Sequence, residues 1–294
     1  MRIKHLVGCL AAVALTLSAA ACSNSLSGEP AQSSKPTAKV DKALFDKLPD
    51  KIKKNKTILV GTDASYAPNE FTVGNQIQGF DIDVFNAIGA KLGVQMKYQN
   101  AKFDTIIPSV SSGKFDAGIS SFTINAKREQ QVNMVSYFEA GTQWATAAGN
   151  PKKIDPDNAC GKTVAVQTGT TQALDDLPVR QQKCGANKIK ILQFDGQDQV
   201  TATVVNGRAD AMLADSPVAQ YAAKQQKGKI ETIGEVYATA PYGIITAKDQ
   251  TDFAQVIAEA FTEVQSEGAV KQAMAKWGVT TGEIDKPEVN PSVS

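Results

Sequence analysis

The sequence predicts an α/β fold in which strands and helices alternate and the sheets run largely parallel. Three observations carry that expectation: short β-branched runs recur between amphipathic stretches, one late helix has an unbroken apolar face, and no short-period repeat is present. In chain order, 57–62 reads as a buried strand and Phe80–Leu92 as a helix with apolar residues at 80, 84, 88 and 92. A strand follows over 94–99, a short helix near 103–110, and a strand over 115–119. The later half repeats the pattern: strand 163–167, a helix after Thr170, strand 188–194, helix 197–206 and strand 210–213. The helix Asp252–Glu267 is the clearest, because Phe253, Val256, Ile257, Ala260, Phe261 and Val264 fall on one face.

Before the alternation begins, the chain carries signs of export. Arg2 and Lys4 precede an apolar run from Leu6 to Ala21 and then Cys22, the order of a secretory signal over residues 1–22. At about 16 residues the run is shorter than the ~20 that a membrane-spanning helix needs. Ala19 to Ala21 followed by Cys22 resembles a bacterial lipoprotein signal, which implies lipidation of Cys22; ordinary cleavage at the Ala-x-Ala site is the alternative reading. Residues 23–40 are rich in serine and poor in large apolar side chains, so they read as a flexible tether.

Composition narrows the function. Without Arg2 and Lys4 the basic residues fall from 31 to 29 against 30 acidic ones, so no nucleic-acid surface is expected. The one histidine, His5, lies in the signal. The exported chain therefore has no histidine base, no Ser-His-Asp triad and no histidine metal site. Neither a cofactor nor a metal is expected. Cys160 and Cys184 remain after Cys9 and Cys22, and an oxidising compartment favours their pairing as a disulfide; two buried thiols are the alternative. Gly161-Lys162-Thr163 imitates the end of a phosphate-binding loop, but Pro156 occupies the required glycine position and Thr163 opens a strand.

The run Gly79-Phe80-Asp81-Ile82-Asp83-Val84 resembles the signature of the polar amino-acid binding proteins of ABC importers, solute-binding family 3. Collinear matches surround it: Gly61 to Pro68, Phe103-Asp104 to Pro108-Ser109, Phe115-Asp116-Ala117, and Ser120-Ser121-Phe122-Thr123 with Arg128. Gly169-Thr170-Thr171-Gln172 and Gly207 to Asp210 with Asp215 complete the set, over about residues 57–280. The resemblance implies a two-lobed periplasmic binding protein fold of type II with two crossover strands as hinge, near 143–148 and 242–247. Lobe 1 is then 41–145 plus 243–294, and lobe 2 is 146–242.

The resemblance also implies a ligand set. Arg128 offers a planar fork to a carboxylate, with Ser120, Ser121 and Thr123 adding donors. Thr170 and Thr171, ahead of a helix, add amides that favour an anion. Asp215 corresponds to the acceptor for an ammonium group, while Asp63, Tyr66 and Phe103 border the side-chain space. The residues by themselves allow plainer roles. Arg128 between Lys127 and Glu129 reads as a solvated charge, Asp215 as the cap of a helix starting near Ser216, and Thr171 as a first-turn residue. Tyr66 and Phe103 read equally as core, and Asp63 as an organiser of its own loop.

The implied function is capture of a polar amino acid, basic or glutamine-like, by hinge closure, with delivery to an ABC transporter permease and its ATPase. The protein is expected to act as a monomer, held on the outer face of the cytoplasmic membrane by lipidated Cys22, in the periplasm or at the cell surface. Two other classes fit the same architecture. One is a ligand-binding sensor for a membrane receptor; the other is a dehydratase-like enzyme, disfavoured by the missing histidine.

Overall fold

A computed structural model describes residues 39–292. The signal segment, Cys22 and residues 23–38 of the tether lie outside the described residues. The fold opens with two short helices, α1 (Lys42–Asp46) and α2 (Asp50–Asn55), whose Leu44 and Ile52, with Leu48 between them, join the first lobe's core. Asp41 caps α1, its side chain accepting from the Leu44 amide at 2.9 Å.

Strand β1 (Thr57–Thr62) leads into a small antiparallel sheet of β2 (Ser65–Tyr66), β3 (Glu70–Val73) and β4 (Gln76–Gln78). Helix α3 (Phe80–Lys91) follows, then β5 (Gln95–Asn100), α4 (Phe103–Ser111), β6 (Ala117–Thr123) and the single turn α5 (Ala126–Glu129). Strand β6 starts later than the sequence suggests because Phe115 is buried from the preceding turn, not from the strand. The long strand β7 (Val132–Ala147) then leaves this lobe.

In the second lobe β8 (Thr163–Gln167) is followed by a π-helical turn, Gln172–Asp176, that continues into α6 (Leu177–Gln182). After it come β9 (Lys190–Phe194), α7 (Gln197–Val205), β10 (Ala211–Asp215) and α8 (Ser216–Gln225). Strand β11 (Ile230–Ala247) returns to the first lobe, where α9 (Thr251–Ser266) and α10 (Ala269–Trp277) complete it. All six apolar residues predicted for one face of α9 are buried. So are Phe80, Val84, Ile88 and Leu92 along and just after α3, and both helices feed the same core cluster.

The eight main strands form one sheet in the order β5-β1-β6-β11-β7-β10-β8-β9. Pairings of β1 with β5 and β6, and of β8 with β9 and β10, are parallel, as the alternation predicts. The sheet is nevertheless mixed, because β7 and β11 pair antiparallel with each other and with β10 and β6. These two strands carry the chain between lobes, so they need no crossover helix. The segments expected at the hinge, 143–148 and 242–247, fall at the C-terminal ends of the two long strands. The register of β11 is irregular in two places, between Ile233 and Ala240, opposite Gly141 of β7, and again between Tyr242 and Ile245, within the expected segment. A Cβ at Gly141 would stand 2.6 Å from the Tyr237 carbonyl oxygen, so the strands cross where no side chain is tolerated.

Each lobe has its own apolar core. The first packs Phe80, Phe85, Phe138, Phe253 and Phe261 together, and the second buries Trp144, Val164, Val166 and Leu213. A disulfide joins Cys160 to Cys184, which resolves the question of pairing that the sequence leaves open. Among the described residues no helix is long and apolar enough to cross a membrane, and no group of three or more His, Cys, Asp or Glu side chains is placed to hold a metal.

Candidate functional site

The C-terminal ends of β6, β8 and β10 and the N-terminal ends of α4 and α8 converge between the lobes. They enclose a narrow cavity of about 10 Å³, room for about one water molecule. Its walls are Tyr66, Phe103, Ser120, Ser121, Thr123 and Arg128 from the first lobe. From the second come Gln167, Thr170, Thr171, Gln172 and Asp215. Nine of the ten residues named from the sequence thus line one space. The tenth, Asp63, stands beside it.

Arg128 is not a solvated charge. It is 7 % exposed, and Asn125 caps its short helix by accepting from the Arg128 amide at 2.9 Å. Its Nη1 donates to the Thr123 carbonyl at 2.7 Å and its Nη2 to the Gly169 carbonyl of the other lobe at 3.2 Å. The guanidinium lies 5.4 Å from the Phe103 ring centre and 5.8 Å from that of Phe122, and those two rings stack on each other. Burial lowers its pKa to about 10, with the Asp215 carboxylate opposing the shift. No acidic side chain among the described residues forms an ion pair with it. A buried guanidinium with five N–H donors and only two carbonyl partners is a strong site for a small carboxylate.

Asp215 ends β10 and directly precedes α8, yet its side chain makes no cap hydrogen bond. Instead Oδ1 accepts from Gln172 Nε2 at 2.7 Å and Oδ2 from the Tyr242 hydroxyl at 2.7 Å. Burial raises its pKa, and the Tyr242, Gln172 and Tyr66 hydrogen bonds pull the other way. The Asp215 amide donates to the Tyr66 hydroxyl at 3.1 Å, which places Tyr66 against the second lobe. The arrangement offers an anion-binding group on one wall and a cation-binding group on the other.

Asp63 serves its surroundings first. Its Oδ1 accepts from the Ser65 amide at 3.1 Å and the Ser65 hydroxyl at 2.6 Å. Its Oδ2 accepts from the Phe103 amide at 3.0 Å and from Gln167 Nε2 at 3.1 Å. Thr170 also has a local duty: its hydroxyl donates to the Gln167 carbonyl at 2.8 Å and accepts from the Ala173 amide at 3.3 Å. The helix expected after Thr170 begins as a π-helical turn, so Gln172 projects to Asp215 and to Thr142 Oγ1, 2.9 Å away. Gln167, Gln172 and Tyr242 were not identified from the sequence as site residues. For Gln172 the signal was present, since it directly follows the Gly169-Thr170-Thr171 motif.

The lobes meet directly around the cavity. Besides the Arg128, Gln167 and Tyr66 contacts, the Gln197 amide donates to Ser65 Oγ at 3.0 Å. Two exposed ion pairs also span the lobes, Lys102–Asp195 and Lys127–Asp175, at 2.6 and 2.7 Å. Gly169 sits at the closest approach with φ of +82°, where a Cβ would come within 2.8 Å of Asp104 Cβ.

Comparison with known proteins places this geometry among relatives. The family described as bacterial extracellular solute-binding proteins, family 3, matches residues 58–280. An arginine-binding protein, ArgT of Corynebacterium glutamicum, is 34 % identical over 247 residues, covering 83 % of this chain and 81 % of the relative. A histidine-binding periplasmic protein of Salmonella typhimurium is 29 % identical over 245 residues, 80 % of this chain and 90 % of the relative. The solved structure of an ancestral arginine-binding protein bound to arginine superposes with a TM-score of 0.71 at 32 % identity, over 76 % of this chain and 98 % of that one.

Proposed function

The chain belongs to the bacterial extracellular solute-binding proteins of family 3, and on that premise we propose that it captures a polar L-amino acid and delivers it to an ABC importer. One observation carries the reading: buried Arg128 and buried Asp215 border a single small cavity from opposite lobes. An α-amino acid carries its carboxylate and its ammonium on the same carbon, and this pair of walls suits both groups. Arg128 takes the carboxylate, assisted by Ser121 and Thr123, and Asp215 takes the ammonium. Tyr66, Phe103 and Gln167 border the side-chain space, with Asp63 supporting them from behind, and a basic or glutamine-like ligand is the class proposed for it. The arginine- and histidine-binding relatives support that class.

The cycle proposed is hinge closure. Residues 41–145 with 243–294 act as one lobe and 146–242 as the other, and ligand that touches both stabilises the closed arrangement. The closed protein, a monomer, then docks on the permease whose ATPase drives import. Residues 1–22 direct export, lipidated Cys22 holds the protein at the outer face of the cytoplasmic membrane, and 23–40 are the tether. The protein performs no chemistry on its ligand, in keeping with relatives that are binding proteins.

Calorimetric titration of the exported domain with the twenty L-amino acids tests the reading. Arginine, lysine, histidine or glutamine is expected to bind with a micromolar or lower dissociation constant, and the matching amine without a carboxylate is expected not to bind. Heat from none of the twenty, or equal binding of the decarboxylated amine, overturns it.

A further inference from the structure

Behind the ligand cavity two carboxyl groups are buried together, and no lysine or arginine among the described residues forms an ion pair with either. Glu70 opens β3 and Asp81 lies in the first turn of α3, and both are 0 % exposed. Ser120 Oγ donates to Glu70 Oε1 at 2.9 Å. Asp81 Oδ2 accepts from the Ser121 amide at 2.9 Å and the Tyr137 hydroxyl at 2.7 Å, and Ser121 Oγ lies 3.2 Å away. Asn69 Nδ2 donates to Ser121 Oγ at 2.8 Å. Ser121 Oγ stands between the two carboxyls, 3.4 Å from Glu70 Oε2 and 3.2 Å from Asp81 Oδ2, and Asp81 Oδ1 meets no donor. Two like charges around one buried hydroxyl, with an acceptor left bare, are unfavourable, so one of the carboxyls keeps its proton.

The surroundings leave that proton in place. The ionisable groups facing the pair are Asp63 at the end of β1, Tyr66 of β2, Tyr98 of β5 and Tyr137 of β7, all acidic. Burial is the first cause that drives Glu70 well above the ordinary glutamate range, and the Asp81 charge is the second. Burial raises Asp81 as well, but Asp81 accepts from an amide and a tyrosine hydroxyl where Glu70 accepts from serine hydroxyls alone, so the charge is better held on Asp81.

The pair grips one element of the site. Ser121 holds a left-handed backbone, φ 51°, unfavourable for any residue but glycine, and its amide and hydroxyl both point to Asp81 or Glu70. We infer that Glu70 and Asp81 share one proton, carried by Glu70, and that this shared proton fixes the Ser120–Ser121 corner for ligand. Glu70 is thus a positioning residue that touches no ligand. Loss of the proton leaves two like charges in a closed space, which pushes Glu70 and Asp81 apart and releases the corner. Ligand affinity then falls with rising pH, by up to tenfold per pH unit beyond the deprotonation of Glu70. The inference rests on the amino-acid reading of the cavity, but the shared proton itself does not.

The test has two arms on the exported domain. Carbon-13 NMR of glutamate side-chain carboxyls, assigned with Glu70→Gln, is expected to show Glu70 still protonated where the other glutamates are ionised; titration alongside them overturns the proposal. Calorimetry across pH with the amino acid that binds is expected to give Glu70→Gln an affinity within about threefold of wild type, without the wild-type decline. Because glutamine keeps a neutral donor at that position, the comparison cancels titration of the ligand ammonium, Arg128 and the tyrosines. Equal declines in both proteins overturn the link to ligand. Should no amino acid bind, the ligand reading fails by itself, and the NMR arm still decides the proton. A Glu70→Gln protein that does not fold leaves the wild-type NMR titration decisive, read from the one glutamate displaced from the rest.

Discussion

Arg128 shows how one side chain changes meaning between sequence and structure. In the sequence it stands between Lys127 and Glu129, the setting of a solvated helix face. In the fold its helix is a single turn aimed at the lobe boundary, and Phe103 and Phe122 cover the guanidinium. Arg128→Ala is expected to weaken amino-acid binding by about 2–5 kcal/mol, since one member of a buried charge pair is removed. Arg128→Lys should recover little of it, because an ammonium lacks the planar fork. Calorimetry measures both, and the unliganded melting temperature of each variant checks that the fold survives. Asp215 sets the acid limb. Burial favours its protonated form, so its folded pKa is raised. A protonated Asp215 cannot receive an ammonium, and affinity is expected to fall as pH drops through that raised value. For the unliganded protein the sign reverses: the stability tied to a neutral Asp215 is lost as pH rises past the folded pKa. Titrations at a series of pH values, with Asp215→Asn as the variant that loses the acid limb, read this out.

The elements that position the site are short: one turn of α5, the end of β10 and the bend after β8. Gly169 belongs to that bend. Left-handed geometry costs an L-residue about 1–2 kcal/mol, and the Cβ of Gly169→Ala also meets Asp104. At least a tenfold loss of affinity is expected for that variant in the same calorimetric assay. The two ion pairs across the lobes should matter much less. Lys102, Asp195 and Lys127 are more than half exposed and Asp175 nearly so, and such pairs contribute roughly 0–1 kcal/mol. Removing both with Asp175→Asn and Asp195→Asn is expected to change affinity less than about tenfold and to reduce its dependence on salt. Helices α3 and α9 were legible because each carries its own 3.6-residue apolar face. Much of β11 was not, because its second-lobe half runs through blocks of exposed and half-buried positions without the alternation that marks a strand.

At the scale of the whole molecule, two cores hang on two strands. The second lobe's core is the smaller and carries the disulfide, which joins the loop ahead of β8 to the end of α6. Closing that loop stabilises the folded state by about 3 kcal/mol in the chain-entropy model. Replacing both cysteines with serine is expected to lower the melting temperature by roughly 6–12 °C, at about 2–4 °C per kcal/mol. Ligand affinity should change less than about twofold, because Cys160 precedes the end of β8 opposite to Gln167. Scanning calorimetry and titration on one preparation decide both points; a large loss of affinity would mean that the bond shapes the cavity.

By itself the sequence determined the alternation of strands and helices and the absence of histidine from the folded part, and its resemblance to a family pointed to nine cavity residues. All of these are local: a helix declares its buried face within a few turns, and the site motifs occupy adjacent positions. Only the tertiary structure decided that Tyr242 and Gln172 clasp Asp215, that Tyr66 meets an amide 149 residues away, and that buried Glu70 and Asp81 converge on Ser121. Such pairings depend on strand register and on how closely two lobes approach. Neither is written in the periodicity of any single segment, because the energy that selects them is shared among residues far apart along the chain.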